Sequence, residues 1–322
     1  MSEPAIRTEG LRKVYRTGFL RRSFVGLHGL DLEIPRGEVF GFIGPNGSGK
    51  TTTQKLLMGL NFPTAGKGWL LGAPLGDREI MGRVGFLPER PYFYDYLTAT
   101  EFLHFYGQLH GIDKATRLRR IDELLPLVHM ERARHVQLRK FSKGMLQRVG
   151  IAQALINEPD LVILDEPASG LDPMGRLLIR DIVRRLRSKG VTVFLSSHVL
   201  SDVEQVCDRV GIIVGGKLQQ VGTVEELVGQ TMSAVEVVVE GLVAAEDAAV
   251  DDGFPVSLHR TTPRGHHVFE APDHDAARAV VREALARGAQ LVSYLPRRET
   301  LEQYFMDEAA SMEKQEREEA AR

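Results

Sequence analysis

Four short runs in the first two thirds of the chain are apolar almost without interruption: 39–44 (VFGFIG), 161–165 (LVILD), 191–196 (VTVFLS) and 210–214 (VGIIV). Runs without polar alternation predict strands covered on both faces, as in a parallel sheet. Helical spacing follows Gly49 and recurs over 173–189, so strands and helices alternate and the core is expected to be α/β. From 99 to 156 the pattern is mostly helical. Thr98 or Thr100 caps a helix start, and further segments run over 114–125 and 144–156. This stretch reads as a helical insertion into the α/β core.

The texture changes after about residue 229. A β-branched run at 234–240 is followed by a short helical stretch at 244–250. Strands are expected at 256–260 and 266–271, a helix at 276–287 and a strand at 290–295. The order β-α-β-β-α-β predicts a small α+β ferredoxin-like domain. A helix then starts at 300–306, and the tail MEKQEREEAAR has no apolar stripe. The expected organisation is a large domain over 1–229 with its helical part at about 90–157, a small domain over 230–309 and a charged tail over 310–322.

Composition narrows the function. The 322 residues are 43% hydrophobic and 26% charged, ordinary for a soluble globular chain. A formal net charge of −2 gives no electrostatic case for nucleic acid as the main partner. The single cysteine, Cys207, has no internal disulfide partner, which fits a reducing compartment. The first residues, MSEPAIRTEGLRKVY, lack the apolar core of a signal peptide. No stretch approaches the roughly 18–20 apolar residues that span a bilayer, so any membrane role falls to a separate partner. His266 and His267 have no companions at ligand spacing and read as solvent-facing strand residues.

Two strings carry candidate chemistry. Gly44-Pro45-Asn46-Gly47-Ser48-Gly49-Lys50-Thr51-Thr52 matches G-x-x-x-x-G-K-[ST], and it follows an expected strand and opens an expected helix. Its glycines let successive amides turn toward one anion, and the helix end adds a positive dipole. Lys50 is expected to reach the β- and γ-phosphates of ATP and the Thr51 hydroxyl to bind Mg²⁺. The second string, LVILDE, ends a buried strand in two carboxylates at the edge where α/β sheets bind ligands. Asp165 is expected to hold Mg²⁺, and Glu166 to orient or deprotonate the attacking water.

Further strings complete a resemblance to the nucleotide-binding subunits of ABC transporters, covering about residues 5–225. Ser142-Lys143-Gly144-Met145 stands where that family has its signature, with Gln147 and Arg148 following. Ser169-Gly170-Leu171-Asp172 matches the D-loop, and His198 the switch histidine. Tyr15 sits where the family stacks a ring on adenine, although Phe19 or Phe24 in the loop that follows can supply that ring instead. The resemblance implies a P-loop NTPase (RecA-like) core with an antiparallel β subdomain and a helical insertion. It implies a head-to-tail dimer of two copies, each ATP held between the P-loop of one and the signature of the other. Ser142 and the amides near Gly144 begin a helix and so form a second anion site; the shared γ-phosphate closes the pair and hydrolysis releases it.

Two positions depart from the family pattern. Glu89, in GFLPERPYF, replaces the usual glutamine; it either ligates Mg²⁺ with added charge or is a surface acid. Lys143 and Met145 replace glycine and glutamine in the signature, and Lys143 either faces the triphosphate or solvent. The aromatic segment 91–105 is either an anchor for a membrane partner or packing of the helical insertion. The resemblance implies an ATPase on the inner face of the cell membrane, cytoplasmic and peripheral, driving a separate transmembrane permease. The short tail domain resembles that of subunits serving exporters. The alternative is a soluble ABC ATPase acting on ribosomes or DNA; those members usually carry two ATPase domains or a long coiled coil, which this chain lacks. A small-molecule kinase would leave the signature and His198 unexplained.

Overall fold

The computed structural model describes residues 3–17, 22–228, 232–242 and 253–298. In chain order the strands are β1 (Ile6–Thr17), β2 (Arg22–Ile34), β3 (Val39–Ile43), β4 (Ala65–Leu70), β5 (Ala73–Pro74), β6 (Val84–Leu87), β7 (Leu161–Asp165), β8 (Thr192–Ser197), β9 (Arg209–Val214), β10 (Lys217–Thr223), β11 (Met232–Glu240), β12 (Leu258–Thr261), β13 (His267–Ala271) and β14 (Gln290–Arg298). The helices are α1 (Lys50–Leu57), α2 (Arg78–Met81), α3 (Ala99–Leu109), α4 (Lys114–Leu127), α5 (Lys143–Leu155), α6 (Pro173–Ser188), α7 (Leu200–Glu204), α8 (Val224–Val228) and α9 (His274–Ala286). The chain divides into two compact units, Met1–Val224 and Glu225–Arg322.

In the first unit the apolar runs become the middle of a six-stranded sheet ordered β10-β9-β3-β8-β7-β6. Every residue of β3, β7 and β8 is buried, which is why these strands carry no polar alternation. β3, β6, β7, β8 and β9 run parallel; β10 turns back antiparallel at the edge. A second, antiparallel sheet, β2-β1-β4-β5, packs on it through one apolar cluster that includes Ile6, Leu27, Phe40, Phe42 and Phe194. Phe194 lies 5.9 Å from Phe40 and 5.4 Å from Phe42 between ring centroids.

The helical insertion is set by its caps. Thr98, not Thr100, caps α3, in a reciprocal box with Glu101; the Thr100 hydroxyl instead donates to the Arg134 carbonyl. Asp113 caps α4 and Ser142 caps α5. In α6, Asp172 caps the helix, Pro173 occupies its first turn, and Leu178, Ile179, Ile182, Val183 and Leu186 are buried at helical spacing.

The second unit is an antiparallel sheet ordered β12-β13-β11-β14. Numbered within the unit, this is the 4-1-3-2 strand order of a ferredoxin-like sheet. Val235, Val237, Val239, Phe269 and Ala271 pack with Ala277, Val280 and Ala284 of α9. The helix expected at 244–250, the one expected from 300 and the charged tail lie outside the described residues.

Candidate functional site

The parallel strands end along one edge, and that edge gathers residues from well-separated parts of the chain. β3 runs into the 44–49 loop, which opens α1. A Cβ at Gly44 would stand 2.1 Å from the Ile213 carbonyl oxygen, and one at Gly49, where φ is +110°, 2.8 Å from that of Gly26. Side chains are therefore excluded from the loop on its packed side, which lets its backbone lie flat on β2 and β9. The loop is tied by the Gly216 amide donating to the Ser48 carbonyl at 2.9 Å. The Lys50 ammonium donates to the Gly44 and Pro45 carbonyls at 2.7 and 3.2 Å and stands 3.8 Å from Glu166 Oε1. Burial lowers the Lys50 pKa, and Glu166, Asp165 and Glu89 oppose that shift. The Ser48 hydroxyl is buried without a hydrogen-bond partner.

Asp165 ends β7 and Glu166 follows it. Asp165 is 1% exposed, and burial raises its pKa; hydrogen bonds from Ser196 and Thr51 pull the other way, and Glu89 and Glu166 add to the rise. The Ser196 hydroxyl donates to Asp165 Oδ1 at 2.7 Å and accepts from the Glu166 amide at 3.0 Å. Ser196 was not singled out in the sequence, although a serine ending an otherwise apolar strand is the signal that would have found it. Glu166 has φ +53°, unusual for a residue with a side chain. Its Oε2 lies 2.7 Å from His198 Nδ1, just beyond β8. Glu89, exposed beyond the end of β6, is close enough to act electrostatically on both Lys50 and Asp165.

Of the remaining expected residues, Tyr15 meets the 44–52 loop directly. The Tyr15 hydroxyl is 3.3 Å from Thr52 Oγ1 and accepts from Asn61 at 3.2 Å. Phe24 stacks on Tyr15 with centroids 6.0 Å apart and planes 17° apart; Phe19 lies outside the described residues. Ser142 Oγ accepts from the Met145 amide at 3.3 Å, and Asp172 Oδ1 from the Gly175 amide at 2.7 Å, so both side chains serve their own helix starts. Among the described residues, Ser142, Lys143, Gly144 and Met145 make no hydrogen bond or ion pair with the 44–52 loop. The aromatic segment is part packed and part open. Phe93 packs on the buried Phe102 at 5.2 Å, whereas Tyr94, Tyr96, His104 and Phe105 line a groove of about 400 Å³.

An anion cradle at a helix start, a buried cation, two carboxylates and a histidine at one sheet edge define a P-loop nucleotide-hydrolase domain. Residues 27–169 match the ABC transporter family. An uncharacterised ABC transporter ATP-binding protein of Synechocystis sp. is 43% identical over 304 residues, 94% of this chain and 83% of its own. A Nod factor export ATP-binding protein of Cupriavidus metallidurans is 33% identical over 308 residues, covering 94% of this chain and 96% of that one. Among solved structures, a dimeric bacterial ABC transporter cassette superposes with a TM-score of 0.63 at 26% identity, over 68% of this chain and 98% of that one. The chain belongs to the ABC transporter ATP-binding proteins, a family of ATPases. Among the described residues, no helix is long and apolar enough to cross a membrane.

Proposed function

We propose that this chain is the ATP-hydrolysing subunit of an exporter: two copies close head to tail around two ATP molecules, and closure drives a separate transmembrane permease from the cytoplasmic face of the membrane. The contact of Glu166 with His198, beside Lys50 and Asp165, is the observation that carries the reading. Gly44 to Thr52 cradle the triphosphate, with Lys50 on the β- and γ-phosphates. Thr51, Asp165 and Glu89 offer the hard oxygen donors that suit Mg²⁺, and Thr51 lies near enough to Asp165 to favour its ionised form. When bound, Mg²⁺ supplies charge neutralisation on the phosphate oxygens. Glu166 accepts a proton as water attacks the γ-phosphorus and the bond to the β,γ-bridging oxygen breaks. His198 fixes the Glu166 carboxylate, leaving Nε2 for the γ-phosphate.

Ser142, Lys143, Gly144 and Met145, with Asp172, serve the ATP of the other subunit, and Tyr15 with Phe24 forms the adenine platform. The dimeric state of the related cassette and the export role of the related Nod factor protein support the pairing and the direction of transport. The groove at Tyr94, Tyr96 and Phe105 suits a short helix of the permease. A Glu166→Gln variant tests the reading. It is expected to bind ATP, turn over very slowly and run as a dimer in size-exclusion chromatography with ATP. A monomer at every ATP concentration overturns the pairing.

A further inference from the structure

Glu166 is the residue of the site whose backbone most needs holding, because its φ of +53° persists only where its surroundings fix it. Three of its restraints are local to the sheet edge: its amide donates to Ser196 Oγ at 3.0 Å, its carbonyl accepts from the Ser169 amide at 3.0 Å, and its carboxylate meets His198 at 2.7 Å. The fourth comes from elsewhere. The Gln147 side-chain amide donates at 3.1 Å to the carbonyl of Pro167, the residue next to Glu166. Gln147 is 5% exposed and sits one turn into α5, the helix that Ser142 caps.

The rest of that helix start also leans on the same loop. A Cβ at Gly144 would stand 3.3 Å from Leu171 Cδ2, so the helix backbone lies against the Leu171 side chain. A Cβ at Gly170 would stand 2.6 Å from Lys143 Nζ, so the Lys143 chain lies over Gly170. Gly144 and Gln147 are three residues apart and share a helix face. Gln147 is the buried polar member of this contact, and a hydrogen bond there restricts geometry in a way that apolar packing does not.

We propose that Gln147 is a positioning residue for Glu166, tying the loop that carries this carboxylate to the helix that Ser142 caps. The inference rests on the head-to-tail reading above. In that pair, Ser142 and Glu166 of one subunit belong to different ATP sites. Engagement of one ATP by α5 therefore reaches the carboxylate of the other site through the Gln147 amide.

The test compares the full chain with two variants of similar size. Gln147→Met keeps the volume and removes the donor at every pH. Gln147→Glu removes the donor when ionised and restores one when its carboxyl is protonated. Both are expected to lower kcat for ATP about 10-fold or more at pH 8 and to leave KM within about twofold. Both are expected to leave ATP-driven dimerisation intact when combined with Glu166→Gln. Relative to wild type, Gln147→Glu is expected to recover as the pH falls to 6, and Gln147→Met is not. A folded Gln147→Met variant with wild-type kcat overturns the inference. So does a loss confined to KM or to dimerisation, which places Gln147 on the nucleotide. If wild type does not hydrolyse ATP and Glu166→Gln alone does not dimerise, the head-to-tail reading itself fails, whatever Gln147 does.

Discussion

Glu166 and His198, 32 residues apart in the chain, meet at 2.7 Å beyond the ends of β7 and β8. The other carboxylate oxygen of Glu166 faces the Lys50 ammonium at 3.8 Å. The carboxylate is thus held from two sides, by a ring that is half exposed and by a buried cation. That arrangement fixes the direction in which Glu166 can accept a proton, and it makes His198 the part of the pair most accessible to a phosphate.

His198→Ala is therefore expected to lower kcat by about 10²- to 10³-fold, within the roughly 10²- to 10⁴-fold that a positioned general base contributes, because Glu166 loses the partner that holds it. ATP affinity, measured by calorimetry, is expected to stay within about threefold, because the cradle and Lys50 are untouched. A variant that hydrolyses ATP within twofold of wild type removes His198 from the reaction.

Asp165 gives a prediction about stability. Burial holds its carboxyl above the ordinary carboxylate value, so its ionised form costs folding free energy. That cost is complete above the raised folded-state pKa, shrinks as the pH falls below it and is gone below the ordinary value. Asp165→Asn keeps an oxygen to accept from Ser196 and removes the charge. Without nucleotide it is expected to raise Tm at pH 7.5 by about 2–4 °C, with the advantage shrinking toward pH 4, while hydrolysis is lost. A lower Tm at pH 7.5 contradicts the sign.

The fold was legible where one rule dominated. Strands buried on both faces write themselves as unbroken apolar runs, so β3, β7, β8 and β9 stood out. β1 did not, because its pairing with β2 slips between Thr8 and Leu11 and again on either side of Lys13. Each slip breaks the two-residue alternation by which a strand is read. In the site, the 44–52 string named its residues because the backbone demands glycine there. The bond from Ser196 to Asp165 and that from Gln147 to Pro167 span 31 and 20 residues. A serine at the end of an apolar strand marks a polar need at the sheet edge without naming its partner, and a glutamine within a helix carries no local pattern that announces one.

Glu89 is a test of charge. It acts on Asp165 and Lys50 through space while remaining exposed. A carboxylate oxygen holds Mg²⁺ more strongly than a neutral amide oxygen. Glu89→Gln is thus expected to raise the Mg²⁺ concentration for half-maximal ATPase about 3- to 10-fold. The affinity for ATP measured without Mg²⁺ is expected to be no weaker, since a negative charge near the triphosphate has gone. An unchanged Mg²⁺ dependence makes Glu89 a plain surface acid.

The adenine platform is decided between two rings. Tyr15 is anchored by its hydroxyl to Thr52 and Asn61, with the Lys13 ammonium 5.3 Å from its centroid and Phe24 stacked upon it. Phe24 is 57% exposed and is the more open of the two rings. A base stacked on an aromatic side chain contributes about 1–3 kcal/mol, so Phe24→Ala is expected to weaken ATP binding by about 5- to 100-fold. Tyr15→Phe keeps the ring and loses only the hydroxyl contacts, and a change within about threefold is expected. Because stacking is blind to base identity, the Phe24→Ala loss should be of similar size for ATP and GTP in a binding titration. If Phe24→Ala binds ATP as wild type does while Tyr15→Ala does not, the base rests on Tyr15 and Phe24 only supports it.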